Sequence, residues 1–162
     1  MKIKKIPLKY PIDIGAPTPK ILASEHFLLL FYFVDKQTKE ILMERDVVSD
    51  RGVVILEFLN YLNFKLGSPN DEVLHGHPYF NLGLRPYSFF ELENSDWLLE
   101  VIKVNSVHPR HDDCLFEDYK HFILTFHDST FECIAESYKV NFSVKSMGEV
   151  ISERVEGLIL TP

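Results

Sequence analysis

The chain has 162 residues, 46% of them hydrophobic and 13% aromatic, which at this length is enough to bury one core and suggests one domain over residues 1–162. Its formal net charge of -7 opposes a phosphate-tracking surface, so nucleic acid is not expected as a partner. The longest apolar run, Phe27 to Val34, is too short to cross a bilayer, and the basic N-terminus leads into Pro7 and Pro11 instead of an apolar leader, so a cytoplasmic protein without membrane contact is expected.

The first twenty residues carry Pro7, Pro11, Pro17, Pro19 and Gly15, which predicts an extended, turn-rich arm. Lys2, Lys4 and Lys5 form the one basic cluster, at an end expected to fray. Residues His26 to Val34 are apolar on both alternating faces, as in a central strand covered on both sides. A turn is expected at Lys36 to Lys39, with a return strand at Ile41 to Val47. From Val53 to Leu66, Val54, Leu56, Phe58, Leu62, Phe64 and Leu66 share one face, which predicts a long strand, bent near Asn60. Gly67, Pro69 and Asn70 end it.

Helical signals gather between Tyr87 and Asn105. Ser88 with Glu91 fits a capping box, and Ser95 with Asp96 fits a second helix start before Trp97, Leu98, Val101, Ile102 and Val104. This helix is expected to cover one sheet face. A weaker helical pattern runs from Met147 to Gly157.

The segment Lys120 to Val140 divides at His127-Asp128-Ser129-Thr130 into two alternating runs, the signature of a β-hairpin. A two-residue loop, or the four-residue loop that the lack of a turn glycine favours, sets Phe126 opposite Phe131, Leu124 opposite Cys133 and Phe122 opposite Ala135 on an apolar face. The other face then pairs Thr125 with Glu132, Ile123 with Ile134 and His121 with Glu136. Cys133 falls on the core face as a small hydrophobe, while Cys114, in a polar segment, reads as an unremarkable exposed thiol.

The candidate polar site comprises His75, His77, His108, Thr125, His127, Asp128 and Glu132, because imidazole and carboxylate together suit proton transfer or metal ligation. In an extended segment, His75 and His77 would point to one side, and Pro78 biases His77 toward that conformation. His108 and His111 flank Pro109 and Arg110, while Asp71 and Glu72 could supply carboxylates. Histidines beside Gly or Pro also serve commonly as turn caps or solvated residues, and Asp128 could simply cap its turn. No HExxH or paired CxxC defines a coordination set, so no metal is assigned; no nucleophile motif or cofactor cradle is present, and the cofactor is unknown.

The blocks LGSPNDEVLHGHPYFNLGL from Leu66, NSDWLLEVIKVNSVHP from Asn94 and HFILTFHDSTFECIAE from His121 resemble, in the same order, a family of small uncharacterised bacterial proteins. The resemblance covers roughly Gly15 to Tyr138 and implies a bacterial origin, without an activity, cofactor or fold.

The expected architecture is α+β, a mainly antiparallel twisted or rolled sheet with one main helix packed on it. Two functions fit. One is a small acidic binding protein for a protein partner or small ligand, with Tyr79, Phe80, Tyr87, Phe89 and Phe90 either at an interface or in the core. The other is a small hydrolase or isomerase with a histidine and carboxylate site, with or without metal.

Overall fold

Side-chain alternation along the strands builds two antiparallel sheets that face each other. The structure, a computed structural model, describes residues 1–35 and 52–160. The turn expected at Lys36 to Lys39 and the return strand Ile41 to Val47 lie outside the described residues. The strands are β1 (Lys2–Ile6), β2 (Lys20–Ala23), β3 (Leu28–Phe33), β4 (Val53–Leu59), β5 (Asn63–Gly67), β6 (Phe89–Glu93), β7 (Lys120–Thr125), β8 (Thr130–Ala135) and β9 (Ser137–Ser143). One sheet runs β1-β6-β7-β8-β5 and the other β2-β3-β4-β9, with antiparallel pairing throughout. Among the described residues the helices are α1 (Asp96–Asn105), the main helix expected after Ser95, and α2 (Met147–Leu160), where the weaker pattern lies, so the α+β class holds.

The shared core lies between the sheets. Leu28, Leu30, Tyr32, Val54, Leu56 and Phe58 from one meet Phe89, Phe122, Leu124, Phe126, Phe131 and Cys133 from the other. The ring of Phe58 lies 5.7 Å from that of Phe122 and 5.3 Å from that of Phe131. Burying each such ring contributes roughly 1.5–3 kcal/mol. Burial also pushes the Cys133 thiol up, which keeps it inert. The opposite face of β3, with Leu29 and Phe31, packs with Val53 and Ile55 against Met147 and Val150 of α2, so β3 is covered on both sides as its sequence predicts. Ser146 and Glu149 start α2 with a reciprocal cap: the Glu149 amide donates to Ser146 Oγ and the Ser146 amide donates to Glu149 Oε2.

Both long predicted strands divide. The Val53 to Leu66 run breaks at Asn60 into β4 and β5, and the Thr130 to Val140 run breaks at Glu136 into β8 and β9; in each case the two halves join different sheets. The breaks sit side by side. Asn60 has φ of 51°, which Asn tolerates better than most residues, and its amide Nδ2 donates to Glu136 Oε2 at 2.6 Å. Leu59 pairs with Ser137 before the crossing and Asn63 with Ile134 after it.

Two local expectations change and a third holds. Ser88 starts no helix: Phe89, Phe90 and Leu92 are apolar on both faces and form β6, while the Ser88 amide donates to Thr125 Oγ1. Ser95 is the true cap, its Oγ accepting from the Leu98 amide at 3.2 Å. The lysine-bearing terminus is also tied down, because Lys2, Lys4 and Lys5 belong to β1, paired to β6 from Lys2↔Glu93 to Ile6↔Phe89.

The hairpin keeps its faces but shifts its register by two residues. Thr125 pairs with Thr130, Leu124 with Phe131, Ile123 with Glu132, Phe122 with Cys133 and His121 with Ile134. The reversal is the two-residue loop His127-Asp128, with the Phe126 amide donating to the Ser129 carbonyl at 2.8 Å. An even shift leaves every side chain on its face, so the core assignment of Phe122, Leu124, Phe126, Phe131, Cys133 and Ala135 holds.

Candidate functional site

The polar residues on the outer face of the five-stranded sheet do not form one site. They divide into a closed cluster over β5, β7 and β8 and a more open one at the hairpin tip.

In the closed cluster, register places Lys65 of β5 directly opposite Glu132 of β8, with Lys65 Nζ 2.9 Å from Glu132 Oε1. His121 of β7 lies diagonally across, its Nε2 2.7 Å from Glu132 Oε2. That contact is close but poorly directed, and neither His121 ring nitrogen has a hydrogen-bond partner in the protein. His77 completes the group. Its Nδ1 accepts from the Tyr79 amide at 3.2 Å, which assigns the Nε2–H tautomer and lets Nε2 face Glu132 Oε1 at 3.3 Å. Burial opposes ionisation of Glu132, but His121, His77 and Lys65 outweigh it and hold the carboxyl well below its ordinary range. Burial pulls the His121 imidazole down, against the contrary pull of Glu132.

Aromatic rings seal this cluster. Trp97 and Tyr79 approach His121 edge-on at 5.1 and 5.6 Å, and Lys65 Nζ sits 4.6 Å from the centre of the Trp97 ring. His121 is 0% exposed and Glu132 5% exposed, so a substrate has no surface by which to reach either. The cluster is a buried ionic tie across the sheet.

At the hairpin tip, Asp71 and Tyr87 converge on His127. Tyr87 Oη donates to Asp71 Oδ2 at 2.5 Å, and His127 Nδ1 lies 2.9 Å from both Asp71 Oδ2 and Tyr87 Oη. The Asp71 amide also donates to the His127 carbonyl at 3.0 Å, tying the loop to the turn. Tyr87 adopts φ of 52°, an uncommon conformation for an aromatic residue. Hydrogen bonds from Tyr87 and His127 lower the Asp71 carboxyl, the bond to Asp71 raises the His127 imidazole, and burial followed by Asp71 pushes the Tyr87 hydroxyl up to about 12. With Nδ1 engaged, Nε2 of the half-exposed ring points outward, 3.9 Å from Asp128 Oδ1. An imidazole backed by a carboxylate in this way can exchange a proton or bind an anionic group.

The sequence candidates therefore scatter. His75 is exposed on the short 3-10 turn Leu74–Gly76 while His77 turns inward, because that turn ends the extended run needed to align them. His77 itself is extended, as Pro78 requires. His127 pairs with Asp71 and not with Glu132, and His121 is buried away from Glu136, which instead holds Asn60. Thr125 is buried, its hydroxyl donating to the Arg85 carbonyl at 2.7 Å, and Asp128 extends into solvent. His108 is a turn residue whose Nδ1 accepts from the Arg110 amide, and His111 bridges Asn105 and Asp113. Lys65, Tyr79 and Trp97 were not among the polar-site candidates, because only the folded sheet brings them to His121 and Glu132. Tyr79, Phe89 and Phe90 are core residues, which removes them from a possible interface. Among the described residues, no group of three or more His, Cys, Asp and Glu is placed to hold a metal ion.

A third feature was not anticipated. Two adjoining clefts of about 290 and 370 Å³ run along α1 and share Leu62, Val101 and Val104, with Trp97 at one end and Val107 and His108 at the other. On the neighbouring flank of the helix, that of Leu98 and Ile102, a cleft of about 340 Å³ is also lined by Glu93, Asp113, Glu117, Phe116, Tyr119 and Lys120. Cys114 is exposed nearby, and its hydrogen bonds to Asp112 and Glu117 raise the thiol, so it is not activated.

No family model, curated protein or solved structure matches this chain. Among the described residues no helix is long and apolar enough to cross a membrane.

Proposed function

We propose that this chain is a small acidic binding protein, bacterial and cytosolic, that engages a protein partner through the surface around α1 and does not bind nucleic acid. One observation carries the reading: Val104 and Val107 are 74% and 87% exposed beside a groove that also takes in Leu62 and Val101. A contiguous apolar groove of this kind on a surface marks a contact site. The buried Glu132 cluster braces the strands beneath that helix, since Trp97 of α1 packs on His121.

A photoreactive residue substituted at Val107, compared with one at the exposed Ile14, tests this in cells. A discrete adduct from position 107 that disappears with Val104→Asp is the expected result. Equal adducts from both positions would overturn the reading.

A second reading, a small hydrolase, is favoured by the outward Nε2 of His127 behind its Asp71 and Tyr87 contacts. Saturable hydrolysis of activated esters that is lost in a folded His127→Gln protein would support it. Activity unchanged by that substitution would dismiss it.

A further inference from the structure

The chemistry on the two sides of α1 describes the partner more closely. The geometry points to a basic, apolar-faced protein segment as the occupant of this surface, an inference that rests on the interaction reading above.

The apolar requirement comes from the groove formed by Leu62, Val101, Val104 and Val107, which has no charged residue of its own except Glu100 near Trp97. Apolar side chains are the groups that gain from leaving water there. The basic requirement comes from the neighbouring flank of the same helix, where Glu93, Asp113 and Glu117 face one cleft against the single cation Lys120. Phe116 lines both the acidic cleft and the apolar groove, so the two surfaces meet and one segment can span them. The remaining charge agrees. The chain carries 24 Asp and Glu against 17 Lys and Arg, and Lys65, the basic residue beside Trp97, is already occupied by Glu132. An acidic partner would meet this surface with like charge, while Lys or Arg side chains would be steered toward it and held beside its carboxylates.

Three short synthetic helices of matched length test the assignment, one built of Leu and Lys, one of Leu and Glu and one of Leu and Ser, each titrated into the full chain while its amide resonances are recorded. The Leu and Lys helix should shift amides on both sides of α1. Its affinity should fall about tenfold when Glu93, Asp113 and Glu117 are changed to Gln, Asn and Gln. Changing Glu25, Glu57 and Glu156 to Gln removes the same charge elsewhere and should have little effect. Equal losses from the two triple variants would reduce the effect to net charge and overturn the inference. Equal binding by the Leu and Ser helix would overturn the basic requirement but leave the interaction reading standing. Shifts of the same amides on concentrating the chain alone would make the occupant a second copy and also overturn it. Failure of every helix to bind would remove this partner class, while crosslinking from position 107 would still judge the interaction reading separately.

Discussion

Glu132 Oε2 lies 2.7 Å from His121 Nε2 although the two residues are not paired across the β7 and β8 ladder, where Ile123 faces Glu132 and Ile134 faces His121. The diagonal contact, together with Lys65 and His77, brings three strands and a loop to one carboxylate. A buried carboxylate held by several partners makes removal of its charge costly even when its shape is kept.

Glu132→Gln should therefore destabilise the protein by about 1–3 kcal/mol, since the amide keeps an acceptor for His77 but loses the charge that faces Lys65. Urea denaturation monitored by Trp97 fluorescence measures this. A midpoint equal to wild type would mean that the cluster contributes nothing to the fold.

The two histidines of the hairpin should titrate on opposite sides of the ordinary imidazole pKa, about 6.5. Burial lowers His121, so its charged form is disfavoured in the fold and stability declines as pH falls below about 6.5. The Asp71 bond raises His127, so its contribution is complete below about 6.5 and is lost as pH rises through the raised value. Asp71 is lowered, so its share is present above about 3.9 and is lost as pH falls through the lowered value. Imidazole carbon-proton resonances followed against pH resolve the two residues, and His127→Gln should flatten the decline of Tm above about 6.5. Coincident titrations would contradict both environments.

Asn60→Ala should cost about 1–3 kcal/mol, because it removes the bond to Glu136 and leaves a Cβ at positive φ without the local polar compensation of Asn. Asn60→Gly loses the same bond but relaxes the backbone, so it should cost less. Chemical denaturation of the pair gives the comparison. An Ala variant as stable as the Gly variant would show that the left-handed geometry carries no penalty.

Ser95→Ala removes the acceptor of the Leu98 amide and should lower stability by about 0.5–2 kcal/mol. The α1 amides should exchange with solvent faster than those of α2. Uniform exchange would separate the cap from the stability of α1.

By itself, the sequence determined which side chains point to the same face. Alternation by twos sends Phe122, Leu124, Phe126, Phe131, Cys133 and Ala135 to the core whichever even register the hairpin takes, and the Ser95 cap is legible because its partner is three residues away. For the same reason, alternation could not choose between registers two residues apart, and that choice decides that Glu132 meets His121 and leaves Glu136 for Asn60. Only the tertiary structure decided that the two long runs change sheets together at Asn60 and Glu136 and that Asp71 reaches His127 from 56 residues away. Such meetings depend on the path of the chain between the elements, which local periodicity does not encode.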